Sequence, residues 1–151
     1  MEKDACREFR PKRHFWANLP KGIDLIGGII QFCKDQKVQT ASFVVSGAVS
    51  MATTGVYDQK QQVFVTRVEK GDFEIVSGTG SLFLDSKKNA EQDGYFVDGQ
   101  VLLSDTKGNL IGGKLFSETI TFAVALDLTE LHGNPITLTH DQVTGRMRKK
   151  F

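Results

Sequence analysis

Asp98, Gln100 and Lys114 form the one grouping in this sequence whose residue types and spacing suit chemistry. Asp98 and Gln100 stand two apart in YFVDGQVLLS, so an extended strand aims both at the same face. Residues 93–116, DGYFVDGQVLLSDTKGNLIGGKLF, read as a hairpin. Its turn lies at Asp105–Asn109, where Gly108 or Asn109 can take the positive φ of a tight connection. The turn returns Lys114 to the neighbouring strand, within reach of the other two side chains. A carboxylate, an amide and an ammonium placed in this way can form a binding or catalytic pocket. They can equally form a salt bridge between Asp98 and Lys114, or a solvent-facing cross-strand pair, and this plainer reading ranks ahead of catalysis. Glu74, in GDFEIV, is the next candidate for the same neighbourhood.

Other motifs carry less. Residues 108–114, GNLIGGK, fit the first seven positions of a phosphate-binding loop, but Leu115 stands where the metal-binding Ser or Thr belongs. The segment also runs from a turn into a strand, whereas that motif needs a helix N-terminus facing the phosphates. His14, His132 and His140 lie far apart, and Cys6 and Cys33 add no metal-ligand spacing. Ser46 lacks the preceding glycine and the following helix of a nucleophile elbow. Basic residues gather at both ends. Arg7, Arg10, Lys12 and Arg13 are diluted by Glu2, Asp4 and Glu8, and read as a solvated leader. Arg146, Arg148, Lys149 and Lys150 are the candidates for nucleic-acid contact, set against the plainer reading of a solubilising tail.

The elements that must position these residues follow from periodicity. A first strand is expected over about His14–Leu19, ended by Pro20-Lys21-Gly22. Leu25, Ile26, Ile29, Ile30 and Cys33 recur at helical spacing behind Asp24, a suitable N-cap. Gly27 and Gly28 in that helix each cost about 1 kcal/mol against alanine, which a close approach to the sheet would explain. From Thr40 to Asp58 the pattern predicts a buried strand, a break at Gly47 and a second strand. Val63–Val68 reads as a strand, Glu69–Asp72 as a turn, Phe73–Leu84 as a long strand and Ser86–Gly94 as an exposed loop. Ile120, Phe122, Val124, Leu126 and Leu128 alternate with smaller or polar residues, as in a strand with one face on a core. Residues 131–139 read as an unpatterned exit.

With 151 residues and a 40% hydrophobic content, the chain can bury a core without disulfides or metal, and one domain is expected. Residues 1–13 form the charged leader, 14–133 the domain and 134–151 the exit and basic tail. A net charge of +1 argues against a globally cationic nucleic-acid binder. Two cysteines outside any framework, and no apolar run long enough for a signal peptide or a membrane span, lead to the expectation of a cytoplasmic protein without membrane contact.

Three blocks taken in order carry a resemblance to a known family: LPKGIDLIGGIIQFCKDQKVQTASFVVSGAVSMATTGVYD, then GDFEIVSGTGSLFL, then the hairpin at 93–116. Over about Phe15–Leu131 the chain resembles the PPC domain, conserved in plants and prokaryotes, and in particular its stand-alone prokaryotic type. The resemblance implies an α/β domain of the α+β type. Its antiparallel sheet would be flanked by one main helix and short helical segments, and it would assemble as a homotrimer. In plants such domains follow AT-hook segments in nuclear DNA-binding proteins and serve interaction more than base reading. No Arg-Gly-Arg core flanked by prolines occurs here, so minor-groove binding does not carry over. Many prokaryotic members have a His-x-His pair in the first hairpin strand and another His after the paired glycines of the second, similar to a zinc site. The matching positions here hold Asp98, Gln100 and Lys114, of which glutamine is a poor ligand and lysine offers a charge in place of a lone pair. No metal or other cofactor is therefore expected. The resulting expectation is a non-catalytic trimer acting through protein interaction, with DNA-binding or transcription-related assemblies as its setting and direct nucleic-acid contact ranked lower. The alternative is a small-molecule binder or enzyme that uses a metal-free version of the pocket.

Overall fold

The computed structural model describes residues 5–85 and 93–151. Its elements are β1 (Arg10–Leu19), α1 (Leu25–Gln36), β2 (Thr40–Asp58), β3 (Val63–Leu84), β4 (Tyr95–Ser104), β5 (Leu110–Leu115), β6 (Ile120–His132), β7 (Thr137–His140) and β8 (Met147–Lys150). Six strands form one sheet in the order β1-β6-β2-β3-β4-β5. All its pairings are antiparallel. β5 also pairs with the far half of β2, through Thr54 opposite Leu115 and Gly55 opposite Lys114. β2, β3, β4 and β5 therefore close on themselves, and this closure holds Lys114 in place.

The helix forms where its apolar stripe demands. Asp24 caps it, accepting the Gly27 N–H at 2.8 Å, and Lys37 ends it in the left-handed conformation at φ 57°. Leu25, Ile29, Ile30 and Cys33 enter a core shared with Phe43, Leu82, Leu126 and Leu128. Burying each large aliphatic side chain contributes about 1.5–3 kcal/mol. Gly28 answers the question its position raised, since a Cβ there would lie 2.7 Å from Ile23 Cδ1. Burial pushes the Cys33 thiol up to about 12, with Glu130 adding to the effect, which makes it an unreactive core group.

Several boundaries differ from expectation. β1 begins at Arg10, earlier than His14, because its pairing with β6 extends to Arg10 opposite His132. Gly47 marks a bulge and not a break. At φ +107° it lets the backbone pass so near β6 that a Cβ would lie 1.9 Å from Ala123 O, and β2 continues to Asp58. The turn expected at Glu69–Asp72 is continuous strand, with Lys70 opposite Met51 and Glu69 opposite Ala52. The ladder satisfies the backbone there, while Lys70 and Asp72 stay in solvent.

In β6 the alternation changes phase. Thr121 is buried and Phe122 exposed, because the register shifts against β2 between Ala48 and Val49. The Thr121 hydroxyl donates to Pro20 O at 2.7 Å and accepts from the Ile23 N–H at 3.1 Å, so its burial leaves no polar atom unpaired. Among the described residues α1 is the only helix, and the expected short helical segments do not appear. The segment read as exit and tail forms the β7–β8 hairpin, anchored by buried Ile136. Most of the expected loop at Ser86–Gly94, and residues 1–4 of the leader, lie outside the described residues.

Candidate functional site

Gln100 on β4 faces Lys114 directly across the ladder to β5, and Asp98 lies one repeat further along the same face, opposite Ser81 of β3. Strand alternation thus brings together the three residues picked out by spacing. The Lys114 ammonium sits among aromatic rings, 4.8 Å from the centroid of Phe64, 5.7 Å from Phe96 and 5.8 Å from Phe116. Each ring arrives for a local reason. Phe96 precedes Asp98 by one strand repeat, Phe116 follows Lys114 by one, and Phe64 pairs with Tyr57 at the tip of the β2–β3 hairpin.

Glycines allow the close fit. A Cβ on Gly55 would lie 2.5 Å from Phe116 Cε2, and one on Gly113 would lie 2.5 Å from Gly55 O. The C-terminal hairpin then folds over the site. Tyr57 donates its hydroxyl proton to Thr144 O at 2.6 Å, and Gln62 Nε2 donates to Val143 O at 3.2 Å. These contacts lay the Arg146 guanidinium over Tyr57 at 5.0 Å and Phe64 at 5.4 Å. Lys149 Nζ reaches Asp98 Oδ2 at 3.4 Å. Tyr57, Phe64, Asp98, Gln100, Lys114 and Arg146 line a cleft of about 330 Å³.

The expected salt bridge between Asp98 and Lys114 does not form, because the ion-pair partner of Asp98 is Lys149. Burial, first, holds the Lys114 ammonium below the usual lysine value; Asp98 pulls the other way, while Arg146 and Lys149 push it further down. Glu74 is not in this neighbourhood. It pairs with Ser104, roughly 20 Å along β4 from Asp98 at about 3.3 Å per residue. There it borders a separate hollow with Asp72, Asp105 and Phe122.

The four basic residues of the chain end do not act as one patch. Arg146 lines the cleft, Lys149 pairs with Asp98 beside it, Arg148 helps hold the Asp141 carboxyl below its usual value, after the Thr144 and Val143 hydrogen bonds, and Lys150 faces Thr137 across the β7–β8 ladder. Tyr57, Phe64 and Phe116 were not among the site residues read from the sequence, and Arg146 was read there only as a candidate for nucleic-acid contact. The available signal was weak, an aromatic at each end of a hairpin and a basic terminus.

The donor set does not suit a divalent metal. Among the described residues no three His, Cys, Asp or Glu side chains converge. Lys114, Arg146 and Lys149 place positive charge where a cation would sit, and only Asp98 opposes it.

A partly closed antiparallel sheet backed by one helix, with a polar cleft on its second hairpin, defines a small α+β domain. The chain belongs to the plants and prokaryotes conserved domain family, whose model, the Plants and Prokaryotes Conserved (PCC) domain, matches residues 6–132. It is similar to a metal-containing protein from Archaeoglobus fulgidus at 29% identity and a TM-score of 0.81, covering 91% of this chain and 93% of that one. A plant- and prokaryote-conserved (PPC) protein from Pyrococcus horikoshii is 22% identical with a TM-score of 0.84, covering 97% of this chain and 98% of that one. A "putative DNA-binding protein" from Bacteroides thetaiotaomicron is 15% identical with a TM-score of 0.77, covering 95% of this chain and 97% of that one. These last two likenesses concern the fold alone. No curated protein matches the sequence. No helix among the described residues is long and apolar enough to cross a membrane.

Proposed function

We propose that the protein is a non-catalytic homotrimer that works through protein interaction in DNA-binding or transcription-related assemblies. The observation that carries the trimer is the outer face of the sheet, opposite α1. Antiparallel sheets normally give solvent a polar face. Here Trp16 is 82% exposed, Phe122 52% and Val44 48%. Trp16 and Val44 both stand opposite Asp127 of β6, so they lie in one row across β1, β6 and β2. A hollow of about 400 Å³ opens beside them, bordered by Ser46 and Ala125. A second copy of the chain would remove this apolar surface from water at about 25 cal/mol per Å².

Light scattering tests the proposal. The expected mass is three times the 16.7 kDa protomer, falling to one protomer in Val44→Glu. A wild-type protomer mass at micromolar concentration would refute it. The nucleic-acid side rests on the name given to the Bacteroides protein and on the basic chain end. Direct contact through Arg148 and Lys150 would show as a gel shift that weakens steeply with salt.

A second reading, a small-molecule site at Asp98, Gln100 and Lys114, is favoured by the donors that converge there.

A further inference from the structure

We propose that the cleft between the β4–β5 hairpin and the C-terminal hairpin binds a small organic dianion, a phosphate monoester or a dicarboxylate. The proposal rests on reading the cleft as a binding site, and it is independent of the trimer.

Three observations carry it. First, the charges do not balance. Lys114 and Arg146 line the cleft, and the carboxylate of Asp98, which also lines it, is already paired with Lys149, so the four groups carry an excess of two positive charges that a dianion would neutralise.

Second, the donors are unspent. Among the described residues the Lys114 ammonium has no oxygen acceptor and contacts only ring faces. The Arg146 guanidinium lies on Tyr57 and Phe64 with no carboxylate or carbonyl partner. The Gln100 amide, directly opposite Lys114, likewise spends no hydrogen bond on the protein. Lys114 is half-buried, where a donor is normally satisfied, and an oxyanion beside it would also accept from the exposed Gln100 and Arg146 side chains.

Third, the size is right. A cleft of about 330 Å³ falls in the range of small-ligand sites, and the Tyr57 and Phe64 side chains give an organic body an apolar wall.

The same arrangement opposes cations, so the sign of the response to Asp98 is diagnostic. Removing that carboxylate strengthens an anion site and weakens a metal site. It also releases Lys149 from its 3.4 Å pairing.

The experiment is isothermal titration of the full chain at fixed ionic strength with phenyl phosphate and with glutarate, and with acetate and zinc chloride as contrasts. The expected result is saturable binding of one dianion, at least about tenfold tighter than acetate. Lys114→Met and Arg146→Met should each weaken it about tenfold or more, as loss of a charge-assisted contact does. Asp98→Asn should tighten it. Glu74→Gln, in the other hollow, should leave it unchanged. Arg146→Met keeps the test valid if Lys114→Met fails to fold, because Arg146 is exposed on the outer hairpin. The dianion that binds distinguishes phosphate from carboxylate ligands. Preference for zinc or acetate would overturn the anion assignment while leaving the cleft a binding site. Silence from all four probes, or dianion binding unaffected by Lys114→Met and Arg146→Met, would overturn both.

Discussion

Lys149 Nζ lies 3.4 Å from Asp98 Oδ2, across 51 residues of chain, and this pair ties the C-terminal hairpin to β4. It also decides the character of the cleft. With its carboxylate engaged by Lys149, Asp98 makes no ion pair with Lys114, which is left against aromatic rings. Of the arrangements that spacing allowed, the Asp98–Lys114 salt bridge is therefore absent.

Lys149→Met should therefore change stability little, by less than about 1 kcal/mol, because both partners are partly solvated. Urea melts at low and high salt check this. The small loss should shrink as salt rises, and a loss of several kcal/mol would mean that the pair, and not the Tyr57 and Gln62 contacts, holds the hairpin.

Lys114 should leave a signature at alkaline pH. Burial, aided by Arg146 and Lys149, lowers its folded value below the ordinary 10.5. Between the lowered value and 10.5 the unfolded chain holds more protons than the folded one, so stability attributable to this group rises with pH across that window. Lys114→Met should abolish the rise and be no less stable than wild type at the low end of the window. Denaturant melts from pH 7 to 10.5 would show this, and an unchanged slope in the variant would sink the assignment.

The core of this site was legible because strand alternation and the Asp105–Asn109 turn are local signals. Asp98, Gln100 and Lys114 meet where spacing put them. Glu74 did not join them, since its place depends on how β3 and β4 run past each other, and the pairing with Ser104 carries it away. Phe64, Tyr57 and Arg146 meet only through the long β2–β3 hairpin and the docking of the chain end on it, contacts with no local periodicity. Bulges account for the remaining differences. One at Gly47 keeps β2 continuous, and a register shift beside it turns Thr121 inward and Phe122 outward.

Gly47→Ala should be severely destabilising. The residue sits at φ +107°, and its new Cβ would meet the Ala123 carbonyl oxygen at 1.9 Å, a backbone atom that cannot step aside without opening β2 from β6. A loss of about 3 kcal/mol or more is expected. Thermal denaturation within a few degrees of wild type would show that the two strands are not held that close.

Asp24→Ala should cost about 1–2 kcal/mol. One carboxylate oxygen accepts the Gly27 N–H and the other the Glu118 N–H, each at 2.8 Å, so the residue both starts α1 and pins the segment before β6. Asp24→Asn should recover only part of the loss, because its single amide oxygen can accept one of the two N–H groups while its NH2 faces the other. Full recovery in Asp24→Asn would mean that only one of the two contacts contributes.

Acid stability should depend on Glu130. Glu130 is 7% exposed and its carboxylate accepts from Arg13 Nε at 2.6 Å, and Arg13 also donates to Gln36 O at 2.8 Å, which joins β1, β6 and the end of α1. The Arg13 hydrogen bond holds the Glu130 carboxyl below its ordinary 4.5, with the Arg13 and Lys12 charges adding to it. A lowered folded value means that this stabilisation is complete above 4.5 and is lost as pH falls through the lowered value. Glu130→Gln should consequently be less stable at neutral pH and lose less on acidification from pH 5 to pH 3. Parallel acid limbs for wild type and variant in a fluorescence titration would place the acid-sensitive contact elsewhere in the fold.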